Sequence, residues 1–262
     1  MLRLVSLEGS ITATLAALGR LDWLIGIGKH DVRVLDPEDR ARVESLPRLP
    51  CTWAVKADDV RPLEPDLVLA SIPVREKSLA ELLQGYVDTL VLMPTDLQSI
   101  YRNIRVLANL VDAVEKGEEV VAAMRAGFDR LARQVASQPR KRVYVEVWPR
   151  PLMNGPVWVG ELVEMFSAEF VPQPADQKEI EERVILEADP EVIVVTWPGV
   201  DDPPLDRVYA RERWSHVRAI RTRQVQAIPE IWVNSPGPNL LKGARELARA
   251  IHPSATISDS SK

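Results

Sequence analysis

The 262-residue sequence has little of what several protein classes require. Its single cysteine, Cys51, excludes an internal disulfide and any metal site built from several cysteines. Its 12 glycines are too few for a collagen-like repeat, and no apolar stretch reaches the roughly 18 residues of a membrane-spanning helix. Hydrophobic residues still make up 46% of the chain, which is enough for packed cores and excludes wholesale disorder.

The sequence also lacks an excess of positive charge. Lys and Arg number 33 against 38 Asp and Glu, so the net charge is −5. Proteins that bind nucleic acid by counterion release need a basic face. We therefore expect no nucleic-acid partner.

Residue patterns that carry catalysis are missing too. The three histidines are far apart: His30, His216 and His252. There is no Gly-x-Ser-x-Gly motif, and Gly26–Gly28 lacks the third glycine of a dinucleotide fingerprint. We interpret this stretch as a strand-to-loop turn, with a two-lobed α/β enzyme acting on a nucleotide or sugar as an alternative. A solvated His30 is favoured over a metal site shared with Glu8 or Asp31.

Aliphatic runs alternate with helical patterns along the chain, which is typical of mainly parallel sheets covered by helices. The predicted strands are 2–6, 24–27, 67–70, 89–92, 143–147, 192–196 and 224–228. Two helical patterns follow Asp96, separated by Gly117, and the second predicts a helix of about 18–20 residues. The predicted fold is α/β, with two Rossmann-like lobes of mainly parallel sheet joined by one long α-helix.

These patterns also divide the chain into segments. We predict an N-terminal α/β lobe over residues 1–96 and a helical connection, including the long helix, over 97–139. A C-terminal α/β lobe follows over 140–252, and a flexible tail over 253–262.

Tryptophans are placed more informatively than other residues. Four of the seven come at or just after predicted strand ends: Trp53, Trp148, Trp197 and Trp232. Ligands of open parallel sheets bind outside the carboxyl ends of the strands, where aromatic faces offer rigid apolar contact. The alternative is that these rings fill the lobe cores. Four similar placements favour a site for a large, flat or apolar ligand.

Several short strings occur in an order and spacing that resemble a known family. They are Arg3-Leu4-Val5-Ser6-Leu7 with Ser10-Ile11-Thr12, Leu63-Glu64-Pro65-Asp66-Leu67-Val68, Arg142-Val143-Tyr144-Val145-Glu146, Ala188-Asp189-Pro190-Glu191-Val192 and Pro236-Gly237-Pro238. Over about residues 2–252 the chain resembles ABC-importer substrate-binding proteins of the cobalamin and iron–siderophore class, and within that class the cobalamin binders.

The resemblance implies a monomeric, non-enzymatic protein that holds a cobalamin-like or siderophore-like small molecule between two lobes, with no resident cofactor. Trp53, Trp232 and the loop Trp148–Leu152 match ligand-lining positions of the family. We expect van der Waals contacts from the four tryptophans, and Cys51 lies close to Trp53 in the sequence. Polar contacts are expected from strand-end loops: Glu8, Lys29, His30, Arg75 and Arg150.

The resemblance also implies an ABC permease as partner, docked through acidic residues. Asp59 matches the acidic position on the first lobe, whereas the second lobe has Asn234 there. A stand-alone cytoplasmic metabolite binder is therefore an alternative. For the ligand itself, the alternative is an iron–siderophore or haem in the same site. Residues 1–28 read as strand, helix and strand rather than as an export signal. We expect a periplasmic or cell-surface location if a leader was removed, and a cytoplasmic one if the chain is complete.

Overall fold

A computed structural model describes residues 1–71, 80–82, 84–85, 87–176 and 178–258. The chain divides into two compact units. The first consists of Met1–Ala123 with Ser235–Asn239, and the second of Met124–Asn234 with Leu240–Lys262. No helix in the described ranges is long and apolar enough to cross a bilayer.

The first unit contains a five-stranded, fully parallel sheet in the order β3-β2-β1-β4-β5. Its strands are β1 (Leu4–Ser6), β2 (Leu24–Gly28), β3 (Arg48–Leu49), β4 (Leu67–Ser71) and β5 (Thr89–Leu92). Because every pair is parallel, the carboxyl ends of all five strands lie at one edge of the sheet. That edge is where the sequence analysis places its first group of site residues.

The first helix, Gly9–Ala17, is apolar on nearly all sides, and most of its residues are buried. Ile11 and Leu15 pack into the core with Leu4 and Ile27 of the sheet. The helix has no side-chain cap, so the burial of its apolar side chains is what stabilises it. Such burial contributes about 25 cal/mol per Å² of apolar surface removed from water. The chain leaves the helix through Gly19, whose φ of +70° suits glycine.

The second unit contains a sheet in the order β10-β9-β6-β7, with β8 also paired to β6. Its strands are β6 (Lys141–Pro149), β7 (Leu152–Asn154), β8 (Ala168–Phe170), β9 (Val192–Val195) and β10 (Val225–Ala227). All pairs are parallel except β6 with β7. The strands β6, β9 and β10 therefore end at the same edge.

The core on one side of this second sheet is built around large rings. Tyr144 and Trp214 are fully buried, with ring centroids 6.1 Å apart, and they pack against Ile193 and Val208. Such aromatic pairs add about 0.5–1.5 kcal/mol beyond the area that they bury.

The predicted fold class is confirmed: each unit is α/β with a mainly parallel sheet, and a long helix lies between them in the chain. This helix, Val114–Val135, has 22 residues, and the boundary between the units falls at Ala123 within it. Gly117 was expected to interrupt the helix, but the helix runs through it. A Cβ at Gly117 would overlap the Cβ of Ala108, so the glycine permits close packing there.

Three short strands, β3, β7 and β8, were not predicted. The helix Val157–Met165 ends shortly before β8, where Ser167 turns the chain with a φ of +52°. Within the described residues, α-helices also occupy Pro37–Arg42, Ala57–Val60, Leu97–Leu110, Glu182–Ala188, Asp206–Tyr209, Arg218–Arg221, Glu230–Val233 and Leu240–Ile251. Short 3₁₀ turns occupy Leu21–Trp23, Asp31–Val34, Arg61–Leu63 and Glu212–Trp214.

Candidate functional site

In the first unit, the predicted polar residues and Trp53 follow three neighbouring strands. Glu8 comes two residues after β1, Lys29 and His30 come directly after β2, and Trp53 comes four residues after β3. Since β1, β2 and β3 are adjacent and parallel, these residues share the carboxyl edge of the sheet. This is the usual ligand position of an open α/β sheet.

A buried hydrogen bond fixes the loop that carries Trp53. The Thr52 hydroxyl donates to the carbonyl oxygen of Leu7 at 2.7 Å, which ties the loop after β3 to the end of β1. Thr52 and Cys51 are buried, whereas the Trp53 ring is 44% exposed. The loop therefore presents one large aromatic ring from a rigid base.

Positive charge at this edge comes from Lys29, and both Lys29 and His30 are exposed. Partial burial, followed by the charges of Lys29 and Arg33, lowers the pKa of His30. The imidazole is accordingly neutral at pH 7. Burial raises the pKa of the Cys51 thiol, which argues against a reactive thiolate.

Asp31 is the most perturbed carboxyl group of this edge, and it was considered in the sequence only as a metal ligand. It is 4% exposed, and its Oδ2 accepts a hydrogen bond from the Thr12 hydroxyl at 2.6 Å. Burial raises its pKa to about 7, although bonds from Thr12, Gly28 and Ser6 partly oppose the shift. No group of three or more His, Cys, Asp or Glu side chains in the described residues is arranged to hold a metal ion.

In the second unit, Trp148 and Arg150 occupy the end of β6. Trp148 is 41% exposed, and its indole N–H donates to the carbonyl oxygen of Arg150 at 2.8 Å. This bond fixes the direction of the ring relative to the turn that follows. A second exposed aromatic face thus lies at the carboxyl edge of a parallel sheet.

The other two predicted tryptophans are placed differently. Trp197 follows β9 but is only 6% exposed, and it belongs to the core with Tyr144 and Trp214. Trp232 is half-buried, and Lys242 Nζ lies 3.7 Å from its ring centroid, a cation–π contact. Trp53 and Trp148 therefore offer the open aromatic faces of this set.

The structure adds a buried ion pair that the sequence analysis missed. The fully buried Glu146 accepts two hydrogen bonds from Arg211, both at 2.7 Å, and one from Trp197 Nε1 at 3.0 Å. Arg211 also lies over the Trp214 ring at 4.4 Å. Although burial lowers the pKa of Arg211, hydrogen bonding and the charge of Glu146 outweigh it and raise that pKa. Glu146 and Arg211 are 65 positions apart, so no local pattern in the sequence indicates this pair.

Arg211 contributes to a pocket of about 290 Å³ beside the end of β6. Its walls are Pro149, Arg150, Pro151, Leu152, Glu182 and Arg211. Glu182 is held by Trp214 Nε1 at 2.9 Å and by Arg213 at 2.7 Å. The pocket combines apolar walls with Arg150, and its other two charged residues are already paired, Arg211 with Glu146 and Glu182 with Arg213.

Two further predicted residues complete the set. Arg75 lies outside the described residues. Asp59 is exposed, and its carboxylate accepts a hydrogen bond from the Lys56 amide at 2.8 Å, which caps the helix Ala57–Val60. Asn234, at the matching position of the second unit, donates to the carbonyl oxygen of Thr196 at 3.1 Å.

Comparisons with known proteins agree with this architecture. The profile of a family described as "Periplasmic binding protein" matches residues 4–231. An uncharacterized ABC transporter substrate-binding lipoprotein of Bacillus subtilis strain 168, YvrC, is 26% identical over 266 aligned residues, which cover 96% of this chain and 80% of YvrC.

Solved structures share the fold at lower identity. A periplasmic haem-binding protein from Pseudomonas aeruginosa is 20% identical, with a TM-score of 0.84 and coverage of 98% of this chain and 95% of its own. The periplasmic vitamin B12-binding protein BtuF of Vibrio cholerae is 19% identical, with a TM-score of 0.73 and coverage of 95% and 96%.

Proposed function

We propose that this chain, which belongs to the family of periplasmic binding proteins, holds a bulky, metal-containing small molecule. The chain would deliver this molecule for ABC-type uptake. The observation that carries this proposal is the pair of exposed tryptophans: Trp53 at the carboxyl edge of a parallel sheet, and Trp148 near the end of β6 in a mainly parallel one. Large rigid rings bind flat or apolar ligands at low entropic cost. The relative YvrC, a substrate-binding lipoprotein of an ABC transporter, supports the role in uptake, and the structures of haem and vitamin B12 binders support this class of ligand.

Our first candidate ligand is cobalamin or a related corrinoid. Trp53 and Trp148, with the half-buried Trp232, would supply van der Waals contact. Polar contacts would come from Glu8, Lys29, His30 and Arg150, with Arg75 added from the sequence. Only two of these residues, Arg75 and Arg150, are arginines, which is few for an anionic ligand and suits a bulky ligand of low net charge.

Haem is a second candidate, and the pocket beside β6 favours it. Arg150 and Arg211 both line that pocket, and guanidinium groups bind carboxylates in bidentate geometry. Because both terminal nitrogens of Arg211 already bind Glu146, Arg150 would be the main contact of a ligand carboxylate. Haem carries two carboxylates, and anionic ferric siderophores offer similar groups. A ligand with acidic substituents would therefore bind in the pocket beside β6, which a neutral ligand does not need.

Titration distinguishes the candidates. We would add cyanocobalamin, haemin or a ferric siderophore to the purified chain and follow visible absorbance together with tryptophan fluorescence. The expected result is saturation near one ligand per chain by one of these compounds. No response to any of them would contradict the proposal.

A matched pair of variants tests the assigned surface. Trp53→Leu should weaken binding about tenfold or more, as the loss of one well-buried aromatic contact does. Trp23→Leu is the control, since Trp23 immediately precedes β2 and so lies at the opposite edge of the same sheet. Equal binding by both variants would remove Trp53 from the site.

The permease partner is part of the same proposal. Asp59 is the docking residue that the resemblance implies, and its exposed side chain would meet a basic group of the permease. We would reconstitute the chain with its permease in vesicles and compare Asp59→Asn with the parent chain. Unchanged ligand transport by Asp59→Asn would remove this residue from the docking surface.

A further inference from the structure

A buried carboxyl group ties together three elements at the candidate site of the first unit. Asp31 directly follows the exposed Lys29–His30 turn and is 4% exposed. Its Oδ2 accepts from Thr12 Oγ1 at 2.6 Å, from the Gly28 amide at 3.3 Å and from Ser6 Oγ at 3.4 Å. One oxygen atom thus joins β1, β2 and the first helix.

The same atoms form a hydrogen-bonded chain that leads back to Glu8. Thr12 Oγ1 lies 2.8 Å from Ser6 Oγ, and Ser6 Oγ lies 3.1 Å from the carbonyl oxygen of Glu8. Thr12 has one hydroxyl hydrogen, so it can donate to Asp31 or to Ser6 but not to both.

The distances fit two complete arrangements, one for each protonation state of Asp31. In the ionised state, the Thr12 hydroxyl donates to the carboxylate. In the neutral state, the carboxyl group donates to Thr12, Thr12 donates to Ser6, and Ser6 donates to the Glu8 carbonyl. The network is therefore satisfied with or without a proton on Asp31.

Close packing keeps water and side chains away from this carboxyl group. A Cβ on Gly28 would lie 2.6 Å from Asp31 Oδ1, so only glycine leaves room for it. Burial of this kind penalises the charged form and raises the pKa of Asp31 to about 7. The positive charge of Arg48 and the donors from Thr12, Gly28 and Ser6 offset part of that penalty.

We infer that Asp31 is a positioning residue that couples proton uptake to ligand binding at the Glu8 and Lys29–His30 end of the strand edge. The inference rests on the proposed function. Asp31 is itself already buried, so a ligand seated on this edge acts through the exposed Lys29–His30 turn, whose water it removes. A charged Asp31 then loses the long-range hydration that this water supplies. Because burial favours the neutral carboxyl group, binding takes up a proton and is tighter in acidic than in alkaline medium.

Other charged or titratable groups lie near Asp31 or near its neighbours His30 and Cys51, and their effects must be separated from that of Asp31. They are Arg48 from β3, Lys29 and His30 from the turn, Arg33 from the following 3₁₀ turn, Glu8 before the first helix and Cys51 from the loop after β3. Of these, only His30 ordinarily titrates between pH 5 and 8. A His30 variant is therefore the necessary control.

The first test needs no ligand. Infrared difference spectra of the intact chain between pH 5.5 and 8.5 should contain a carboxylic-acid band that is absent from Asp31→Asn. Thr12→Val removes a donor to the ionised form, so its band should persist and titrate at higher pH. A parent spectrum without a band assignable to Asp31 would overturn the inference.

The second test measures binding of cyanocobalamin and of haemin across the same pH range. The parent chain should bind up to about tenfold more weakly at pH 8.5 for each pKa unit by which the ligand raises Asp31. Asp31→Asn should lose this dependence, and His30→Gln should keep it. A wild-type pH profile in Asp31→Asn, or tighter binding at pH 8.5, would overturn the inference. If neither compound binds, the corrinoid and haem candidates of the proposed function fail, and the ligand-free spectra still decide whether Asp31 holds a proton.

Discussion

At the scale of single residues, the buried ion pair of Glu146 and Arg211 is a main polar contact of the second unit's interior. A buried carboxylate is tolerated only with a full set of partners, and Glu146 has three hydrogen bonds, from Arg211 and Trp197. Glu146 fixes the position of Arg211 through two of these bonds, and Arg211 also lines the pocket beside β6. The ion pair thus connects the core of this unit to its candidate ligand surface.

Glu146→Gln should destabilise the protein by about 3 kcal/mol, because it leaves the mostly buried Arg211 guanidinium without a counter-charge. The change in the free energy of unfolding can be measured by urea titration with circular dichroism. Glu181→Gln is the control, since Glu181 pairs with Arg183 on the surface at 3.2 Å and its loss should cost less than about 1 kcal/mol. Equal losses in the two variants would show that the buried pair contributes no more than an exposed one.

Asp31 should make stability fall as pH rises. Its pKa is 3.8 ordinarily and about 7 in the folded chain, so the folded state alone holds this proton between those values. The stabilisation is full below pH 3.8, is lost as pH rises toward about 7, and stays lost above it. At about 1.4 kcal/mol per pKa unit, the largest expected effect is about 4 kcal/mol.

Urea titrations at several pH values check this sign. Asn cannot titrate, so the parent chain should lose stability relative to Asp31→Asn between pH 4 and 8. A constant difference between the two proteins would contradict a neutral Asp31. A difference that grows in the opposite direction would mean that the carboxylate is stabilised in the folded chain.

At the scale of elements, two helical glycines lie close to other parts of the chain, one against backbone and one against a side chain. Gly243 lies within the helix Leu240–Ile251, and a Cβ there would overlap the main-chain carbonyl of Trp232. Gly127 lies within the long helix, and a Cβ there would overlap only the end of the Leu241 side chain. Backbone cannot yield as a side-chain rotamer can.

Gly243→Ala should therefore destabilise the protein by about 2 kcal/mol, as overpacking does, despite the better helix propensity of alanine. Gly127→Ala should change stability little, because Leu241 can rotate away. Thermal unfolding of the two variants, followed by circular dichroism, makes the comparison. A stable Gly243→Ala protein would mean that the segment Glu230–Val233 shifts freely.

Sequence patterns predicted elements that bury a long, regular apolar stripe. The strand Thr89–Leu92 has the predicted bounds, and the long helix Val114–Val135 was predicted apart from its passage through Gly117. The strands β3 and β8 were missed because two or three residues are too few to establish a period. Tertiary packing, against Ala108 in the case of Gly117, decides such places.

The sequence predicts those residues of the candidate site that directly follow predicted strands. Glu8, Lys29 and His30 share an edge because they follow predicted parallel strands, and Trp53 reaches it through the unpredicted β3. The Glu146–Arg211 pair depends on contacts 65 positions apart, which one sequence does not reveal. Likewise, nothing local distinguishes the buried Trp197 from the exposed Trp148.

At the scale of the whole molecule, the chain passes between the two units more than once. The chain passes from the first unit to the second within the long helix, returns for Ser235–Asn239 and then leaves again. Neither unit is therefore a single uninterrupted segment. A ligand that binds the folded chain should consequently be detected through the stability of the complete protein rather than of a fragment.

Ligand binding should raise the melting temperature of the complete chain by a predictable amount. A ligand that binds only the folded state, present at 100 times its Kd, adds about 2.7 kcal/mol, which corresponds to about 5 °C or more for a protein of this size. Differential scanning fluorimetry is unsuited to coloured ligands, so calorimetry with cyanocobalamin and with haemin is the appropriate measurement. The shift should shrink in Trp53→Leu and persist in Trp23→Leu. Absence of a shift with every compound would contradict specific binding to the folded chain, whereas a shift that both variants retain would move the site away from the β3 loop.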